Sequence, residues 1–562
     1  MAMMRALLLR KSLSSSPLFH DTTIRSCLLN MDCSAWLYCQ LSSPNSYHSS
    51  AKFDLTDLTQ PHLWYPNARK KKRNVFLHMG PTNSGKTYHA LKRLEASSSG
   101  LYCGPLRLLA WEVAQRMNKA KVPCNLITGQ ERDEIDGAQH TSVTVEMADV
   151  SSEYQCAVID EIQMVSCKTR GFAFTRALLG ICSDELHVCG DPASVPLIQR
   201  ILEVTGDNVQ IQYYERLSPL VPLKVPLESF SNIKKGDCIV TFSRADIYRL
   251  KKKIEAGGKH LCSVVYGSLP PETRTKQATL FNDDRSEMDV LVASDAIGMG
   301  LNLNISRIIF STMKKFDGES TRELTVPEIK QISGRAGRYG SKFPVGEVTC
   351  LNGKDLPLLH SSINAASPVL ERAGLFPTFD LLSLYSRLNS TKAFYPVLEK
   401  FLAKAKLSSD YFISDCEEML KVAAVVDELP LALYDKYLFC LRYHNYFAEN
   451  FSKKGLVRLK EIFMPGTLQV PKTQNQLKEL ESIHKVLDLY VWLSYRMEES
   501  FPDREVAASQ KSMCSLLIEE FLERSGGYKP FKKAQPTAQW LQNKYQKKEM
   551  QKYFPDVNVE SD

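Results

Sequence analysis

The chain lacks the features that would place it in several large classes at once. None of its apolar runs approaches the ~20 residues that a membrane-spanning helix needs, since even the Leu7, Leu8, Leu9 cluster ends at Arg10 and Lys11. Its 15 cysteines include no C-x-x-C pair, and their odd number and wide scatter argue against both a zinc framework and a disulfide scaffold. They read as reduced, mostly buried thiols. A strong charge of one sign is missing as well: 71 Lys and Arg stand against 63 Asp and Glu, a net of +8. That balance permits a nucleic-acid partner through local basic patches without requiring one. Acidic residues are absent from the first twenty positions, where Arg5, Arg10 and Lys11 accompany a serine cluster. This is the composition of an organelle transit peptide, and residues 1–50 are read as transit peptide and disordered leader. No fixed-period repeat is visible. With 44% hydrophobic and 24% charged residues over 562 positions, the remainder is globular and long enough for three or four domains.

From Asn74 onward, short apolar runs alternate with helical stretches. NVFLHM, GLYCGPL, CAVIDEI and ELHVCGD each end in Gly, Asp or Pro before a helical pattern, the signature of βαβ units in a parallel sheet. A turn-rich segment at 214–226 precedes a second series, DCIVTFS, HLCSVVYG, MDVLVAS and RIIFST. The expected fold is therefore α/β, with two lobes built on parallel sheets at 51–220 and 221–355. Beyond residue 355 amphipathic helices take over. Ile483, Val486, Leu487, Tyr490, Leu493 and Met497 recur at helical spacing, and Pro502-Asp503 opens another helix stopped by Gly526-Gly527. A helical C-terminal domain is expected at 356–527. The tail, 528–562, interleaves lysines with Phe531, Trp540, Tyr545 and Tyr553, a pattern that suits either an accessory nucleic-acid contact or a solvated tail.

Strand NVFLHM runs into Gly80-Pro81-Thr82-Asn83-Ser84-Gly85-Lys86-Thr87, a G-x-x-x-x-G-K-[ST] phosphate loop in the strand, loop, helix context that the motif requires. Its backbone amides would wrap phosphates, Lys86 would reach the β and γ oxygens, and Thr87 would ligate Mg²⁺. CAVIDEIQ ends a second strand in Asp160-Glu161. Asp160 would hold the metal and Glu161 would polarise the attacking water as general base. Far along the chain lies Gln331-Ile332-Ser333-Gly334-Arg335-Ala336-Gly337-Arg338. A phosphate loop in one lobe and a Gly-spaced arginine pair in the other imply a nucleotide held between lobes. Gln331, Arg335 and Arg338 would complete the site on closure, with Arg335 on the γ-phosphate and Arg338 as arginine finger.

These residues resemble the superfamily 2 helicases across both lobes. Gly104 to Ala110, Thr144 to Met147, Gly190 to Ser194, Thr241 to Arg244 and Ala293 to Gly300 look like motifs Ia, Ib, III, IV and V. The wording GPTNSGKT, GPLRLLAWEVA, LITGQER, DEIQM, YGSLPPETR, SDAIGMGLNLNI and QISGRAGR is closer still to the Suv3-type mitochondrial RNA helicases, related to the Ski2-like group. The resemblance implies two RecA-like lobes and an ATP-dependent helicase working 3′ to 5′ on RNA and also on DNA, with Mg²⁺ or Mn²⁺ as cofactor. It implies nucleic-acid contacts at Pro105, Arg107, Thr144, Ser243, Arg244 and Ser294. It further implies an exoribonuclease partner in a mitochondrial degradosome, a homodimer in some members, the matrix as location and the nucleus as a second site. Two positions depart from the wider superfamily: residue 163 is Gln rather than Asp or His, and motif III reads GDPAS rather than SAT.

An ATP-driven remodeller that clamps RNA without processive unwinding shares every one of these motifs. A kinase or GTPase with a phosphate loop does not, because it lacks the second lobe and QISGRAGR. The discriminator between helicase and clamp would be a strand-separating wedge at residues 314–319, where Asp317-Gly318 can form either a tight hairpin turn or a plain loop. No adenine-reading element is visible. Trp64 and Tyr65 offer rings for base-tolerant stacking or for packing under lobe one, so GTP, CTP and UTP are expected to support unwinding within about tenfold of ATP.

Overall fold

The computed structural model describes residues 54–440, apart from positions 130, 299, 391–392, 415 and 429–430, and then residues 468–495 and 502–524. The leader at 1–50 and the basic tail at 528–562 lie outside the described residues, as does Met497.

Two parallel sheets dominate, and their strands are the apolar runs of the sequence. The first contains β1 (Asn74–Met79), β2 (Gly100–Gly104), β3 (Cys124–Ile127), β4 (Arg132–Asp133), β5 (His140–Thr144), β6 (Glu153–Ile159), β7 (Cys182–Gly190) and β8 (Asn208–Tyr213), in the order β4-β3-β5-β2-β6-β7-β1-β8. All neighbours run parallel except the β3-β4 pair. Helices α1 (Lys86–Glu95), α2 (Arg107–Lys119), α3 (Gly171–Gly180) and α4 (Val195–Glu203) cover its faces. Burial on both faces explains the unbroken apolar runs: Val75, Leu77, Met79 and Ala157, Val158, Ile159 are all fully buried.

The second sheet runs β11-β12-β10-β13-β16-β9, with β9 (Leu220–Pro222), β10 (Asp237–Val240), β11 (Leu261–Val265), β12 (Met288–Ala293), β13 (Arg307–Phe310) and β16 (Gly346–Cys350). It packs with α5 (Arg244–Glu255), α6 (Pro271–Asn282), α7 (Val326–Ser333) and α8 (Leu356–Asn364). A separate antiparallel hairpin, β14 (Lys314–Phe316) with β15 (Thr321–Glu323), leaves this lobe. The structure thus resolves the Asp317-Gly318 alternative as a hairpin.

Each lobe carries a buried Arg–Asp pair at the amino ends of its strands. Arg73 is fully buried, forks onto Asp207 with Nη2 at 2.6 Å, and donates to the carbonyls of Leu178 and Ile181 at 2.9 Å each. In the second lobe Arg307 Nη2 meets Asp237 at 2.6 Å. Such pairs hold only when their hydrogen bonds are filled, as here. The opposite, carboxyl ends of the strands are left free to carry chemistry.

The C-terminal region begins with β17 (Ala373–Leu375), paired with β18 (Tyr411–Ile413). Helices α9 (Phe379–Leu388), α10 (Phe394–Lys404) and α11 (Cys416–Val426) follow the same core. This part packs on lobe one, where a Cβ on Gly374 would stand 2.9 Å from the Phe172 backbone nitrogen. The long helices α12 (Gln474–Ser494) and α13 (Arg504–Arg524) instead dock on lobe two, through Lys276 to Glu519 at 2.7 Å and Tyr266 to Glu481 at 2.6 Å. Thr473 and Gln476 form a capping box that starts α12. Its stripe packs as the spacing requires, with Leu487, Tyr490 and Leu493 buried. No helix among the described residues is long and apolar enough to cross a membrane. The cysteines from Cys103 to Cys350, with Cys440 and Cys514, are free, and all of these but Cys167 are buried.

Candidate active site

The phosphate loop follows β1 and ends in Gly85, whose φ of +82° starts α1. Lys86 is buried within the loop, its Nζ donating to the carbonyls of Gly80 at 3.0 Å and Pro81 at 3.2 Å. The Thr87 hydroxyl donates to Asp160 Oδ1 at 3.1 Å, and the Tyr102 hydroxyl to Oδ2 at 3.1 Å. Burial, then the neighbouring Glu161, push the Asp160 carboxyl up to about 6. A buried carboxylate beside a threonine hydroxyl is an all-oxygen donor set with charge left to balance, which suits a hard divalent cation. Glu161 itself is held at φ 58° and ψ 48°, a left-handed conformation that a non-glycine residue keeps only when its surroundings enforce it. Its carboxylate is fixed by Gln163, which donates from Nε2 to Glu161 and accepts from the Asp191 amide at 3.1 Å. The departure at position 163 is therefore a bridge from the candidate base to the GDPAS segment.

Across the cleft, α7 presents the second half. Thr325 and Glu328 cap its start reciprocally, and the Gln331 side chain reaches toward Gly298, 3.6 Å from where a Cβ there would stand. Arg335 donates from Nε to the Gly298 carbonyl at 2.9 Å, and Arg338 donates to the Asn302 side chain. Both arginines line a pocket with Thr82 and Asn83 of the phosphate loop and Gly334 of α7's end. Two glycines make this approach feasible. A Cβ on Gly334 would lie 2.9 Å from that of Thr82, and one on Gly337, whose φ is +63°, only 2.2 Å from the Gly346 nitrogen. No side chain fits at either position without displacing backbone or the opposite lobe.

Arg216, in the linker between the lobes, was not among the sequence-derived candidates. It donates to the carbonyls of Thr82 at 3.0 Å, Gly334 at 2.8 Å, Gly337 at 3.0 Å and Ala336, tying the phosphate loop to the arginine segment. Burial pulls its guanidinium down to about 10. Nothing in its sequence neighbourhood marked it, because its partners are main-chain carbonyls of two distant segments.

The expected nucleic-acid residues all sit at carboxyl ends of strands: Pro105 and Arg107 beyond β2, Thr144 at the end of β5, Ser243 and Arg244 beyond β10, and Ser294 beyond β12. Ser243 is exposed and Ser294 half-buried, while Pro105 and Thr144 are buried. Arg107 lies 4.0 Å from Asp488 of α12. Arg244 also engages α12, donating to Glu481 at 2.8 Å and to the Gln474 carbonyl at 2.6 Å. It joins lobe two to the C-terminal helices. Of the two alternatives for Trp64 and Tyr65, packing is the one the structure shows. Both are buried, and the Tyr65 ring lies 2.7 Å from the position of a Cβ on Gly180, so they pack under lobe one.

Beneath the phosphate loop a polar chain crosses the sheet. Arg93 forks onto Glu185 at 2.6 and 2.7 Å, Glu185 meets His187 at 3.3 Å, His187 meets His78 at 2.8 Å, and His78 meets the Tyr214 hydroxyl at 2.8 Å. Burial, reinforced by His187, pulls His78 down to about 4, so the folded state holds it neutral where the unfolded chain would protonate it. Its stabilising effect is full above pH 6.5 and is lost as pH falls through about 4, a change of roughly 3 kcal/mol. The thermal midpoint should accordingly fall with acidification over that range, and His78→Gln should flatten the slope. An unaltered slope would remove His78 from this account.

Comparison with known proteins gives three matches along the chain. The DEXQ-box helicase domain of Suv3 matches residues 61–214, the Helicase conserved C-terminal domain residues 222–340, and the ATP-dependent RNA helicase SUV3 C-terminal domain residues 477–524. The chain is 70% identical to "ATP-dependent RNA helicase SUV3, mitochondrial" of Oryza sativa subsp. japonica, over 100% of this chain and 99% of that protein. It is 71% identical to "DExH-box ATP-dependent RNA helicase DExH16, mitochondrial" of Arabidopsis thaliana, over 84% and 85%. Against "ATP-dependent RNA helicase SUPV3L1, mitochondrial" of Homo sapiens the identity is 41%, over 80% of this chain and 60% of that protein.

Proposed function

Because the chain belongs to the Suv3 family of ATP-dependent RNA helicases, we propose that it couples ATP-driven closure of its lobes to separation of RNA strands in the 3′ to 5′ direction. The observation that favours strand separation over a clamp is the β14–β15 hairpin. Its turn is closed by Asp317, whose carboxylate accepts from the amides of Glu319 at 3.0 Å and Ser320 at 2.9 Å. Its tip carries Phe316, 63% exposed. Its base is not free: Lys315 pairs with Glu328 at 2.7 Å and Asp295 at 3.3 Å, and Arg322 pairs with Glu328 at 2.9 Å. Glu328 shares α7 with Gln331, so the helix leading to the site arginines is ionically joined to an exposed aromatic ring. An apolar ring on a rigid ribbon can intrude between stacked bases.

In this reading Lys86 leaves its loop carbonyls for the β and γ oxygens, and Glu161, oriented by Gln163, polarises the attacking water. Arg335 and Arg338 approach the γ-phosphate from lobe two, with Gln331 beside them against the Gly298 segment. Mg²⁺ or Mn²⁺, held at Thr87 and Asp160, would neutralise phosphate charge. Pro105, Arg107, Thr144, Ser243 and Ser294 would grip one strand from the carboxyl ends of both sheets, through main chain where the side chain is buried.

The proposal places this activity in the mitochondrial matrix, feeding an exoribonuclease that degrades RNA. The relatives' names and the acid-free first twenty residues support the mitochondrion. Action on DNA duplexes, homodimer formation and a second, nuclear location belong to the same proposal, on family likeness alone.

The wedge is tested by Phe316→Ala together with a chain in which residues 316–321 are replaced by a short Gly-Ser turn. Strand displacement should drop roughly tenfold or more while RNA-stimulated ATP hydrolysis stays within about threefold, because only the step that splits the duplex is touched. Full displacement by both variants would assign the hairpin no part in unwinding and restore the clamp reading.

A further inference from the structure

With Trp64 and Tyr65 buried, the nucleotide base needs another partner, and the sheet order says where to look. Asp160 and Glu161 follow β6, which lies on one side of β1 across β7, whereas β8 flanks β1 on the other. The γ-phosphate end of a nucleotide on the loop after β1 faces the carboxylates. Its nucleoside end therefore leaves toward β8 and the segment that follows it. That segment lies against the loop: a Cβ on Gly80 would stand 2.6 Å from the Tyr214 carbonyl oxygen, and one on Gly85 would stand 3.4 Å from Leu217 Cδ1. Leu217 is nonetheless 51% exposed, so it leaves apolar surface open beside the loop.

Lobe two supplies a second exposed apolar surface at the same place. Tyr339 follows Arg338 directly and is 73% exposed. It is held in a fixed turn between two left-handed glycines, Gly337 at φ +63° and Gly340 at φ +68°. Asn83 joins the two surfaces. Its carbonyl accepts from the Leu217 amide at 2.9 Å, its side chain donates to Ser218 and to the Gly337 carbonyl at 3.2 Å, and its Oδ1 faces the Tyr339 amide at 3.5 Å.

We propose that Leu217 and Tyr339 form a two-sided base clamp: the aliphatic side chain of lobe one and the aromatic ring of lobe two take the nucleobase between them. This rests on the assignment of the phosphate loop above and adds the residues that hold the base. The clamp is complete only when both lobes meet, so base binding reports closure. Neither side chain can read hydrogen bonds on the base edge, because an aliphatic group has none to offer and a ring face stacks on any base. The nucleotide tolerance expected from the sequence then has a physical source, although in different residues.

The test uses the full chain with single-stranded RNA and compares ATP with inorganic tripolyphosphate, which has the phosphates without a base. For Tyr339→Ala, KM for ATP should rise roughly tenfold to a hundredfold, with kcat held within a few-fold. The inhibition constant of tripolyphosphate should not move. KM values for GTP, CTP and UTP should rise in parallel, and Tyr339→Phe should restore all of them, since the ring and not the hydroxyl makes the contact. An unchanged KM for ATP in Tyr339→Ala would overturn the clamp. So would an equal weakening of ATP and tripolyphosphate, which would mean that the substitution disturbs Arg338 instead. If tripolyphosphate fails to inhibit the unmodified protein at all, the phosphate-loop assignment falls first and the clamp with it.

Discussion

Lys86→Ala is expected to lower RNA-stimulated ATP hydrolysis by about a thousandfold or more, to the level of background, with the fold intact. Lys86 is buried among loop carbonyls at 3.0 and 3.2 Å, and its charge is one of the influences that hold the Asp160 carboxyl down. Its loss thus acts twice. The β and γ oxygens lose their point charge, and Asp160, already raised by burial and by Glu161, becomes a poorer anion for the cation it would hold. The substitution removes no apolar packing layer of the sheet, so circular dichroism and the thermal midpoint should change little. A folded Lys86→Ala protein that hydrolyses ATP within tenfold of the unmodified rate would remove this loop from the chemistry.

Arg338→Ala is expected to leave ATP affinity within severalfold and to depress turnover by roughly 10³, equivalent to about 4 kcal/mol of transition-state stabilisation. The structure separates the two arginines in a way that motivates this assignment. Arg335 is anchored on the Gly298 main-chain carbonyl and feels the charges of Glu161 and Asp160, whereas Arg338 donates to the Asn302 side chain and feels Glu112. A guanidinium held by a side-chain amide rather than by main chain can swing onto charge that develops late. Steady-state hydrolysis combined with fluorescent-nucleotide binding separates the outcomes. Comparable losses in binding and turnover would make Arg338 a ground-state phosphate ligand, and a larger turnover loss in Arg335→Ala would exchange the two roles.

Local patterns carried much of this architecture. NVFLHM, CAVIDEI, MDVLVAS and RIIFST are runs buried on both faces, and their location in two parallel sheets follows from that burial alone. The phosphate loop and Asp160-Glu161 are short contiguous segments whose spacing is dictated by what they would hold, so their meeting at 3.1 Å through Thr87 is an expected consequence. What escaped detection depends on long-range contact. Arg216 bonds to carbonyls more than a hundred positions away. Arg244 sits in a segment that reads as a nucleic-acid contact, and nothing in the sequence hints that Glu481 reaches it from a helix over two hundred residues later. Trp64 and Tyr65 were ambiguous because an aromatic pair before the first strand suits a ligand or a core equally, and only the packing against Gly180 decides. Tyr339 drew no notice for the opposite reason, since its exposure is invisible in the sequence.

The central claim, that closure of two lobes on ATP separates RNA strands, is met most directly by a strand-displacement assay on 3′-tailed and 5′-tailed RNA duplexes. The unmodified protein should release the labelled strand from the 3′-tailed duplex with ATP and not with a non-hydrolysable analogue. Arg338→Ala should bind the same tail and release nothing. Tight, ATP-dependent binding of both substrates with no displacement of either would contradict the claim and leave a protein that clamps RNA without unwinding it.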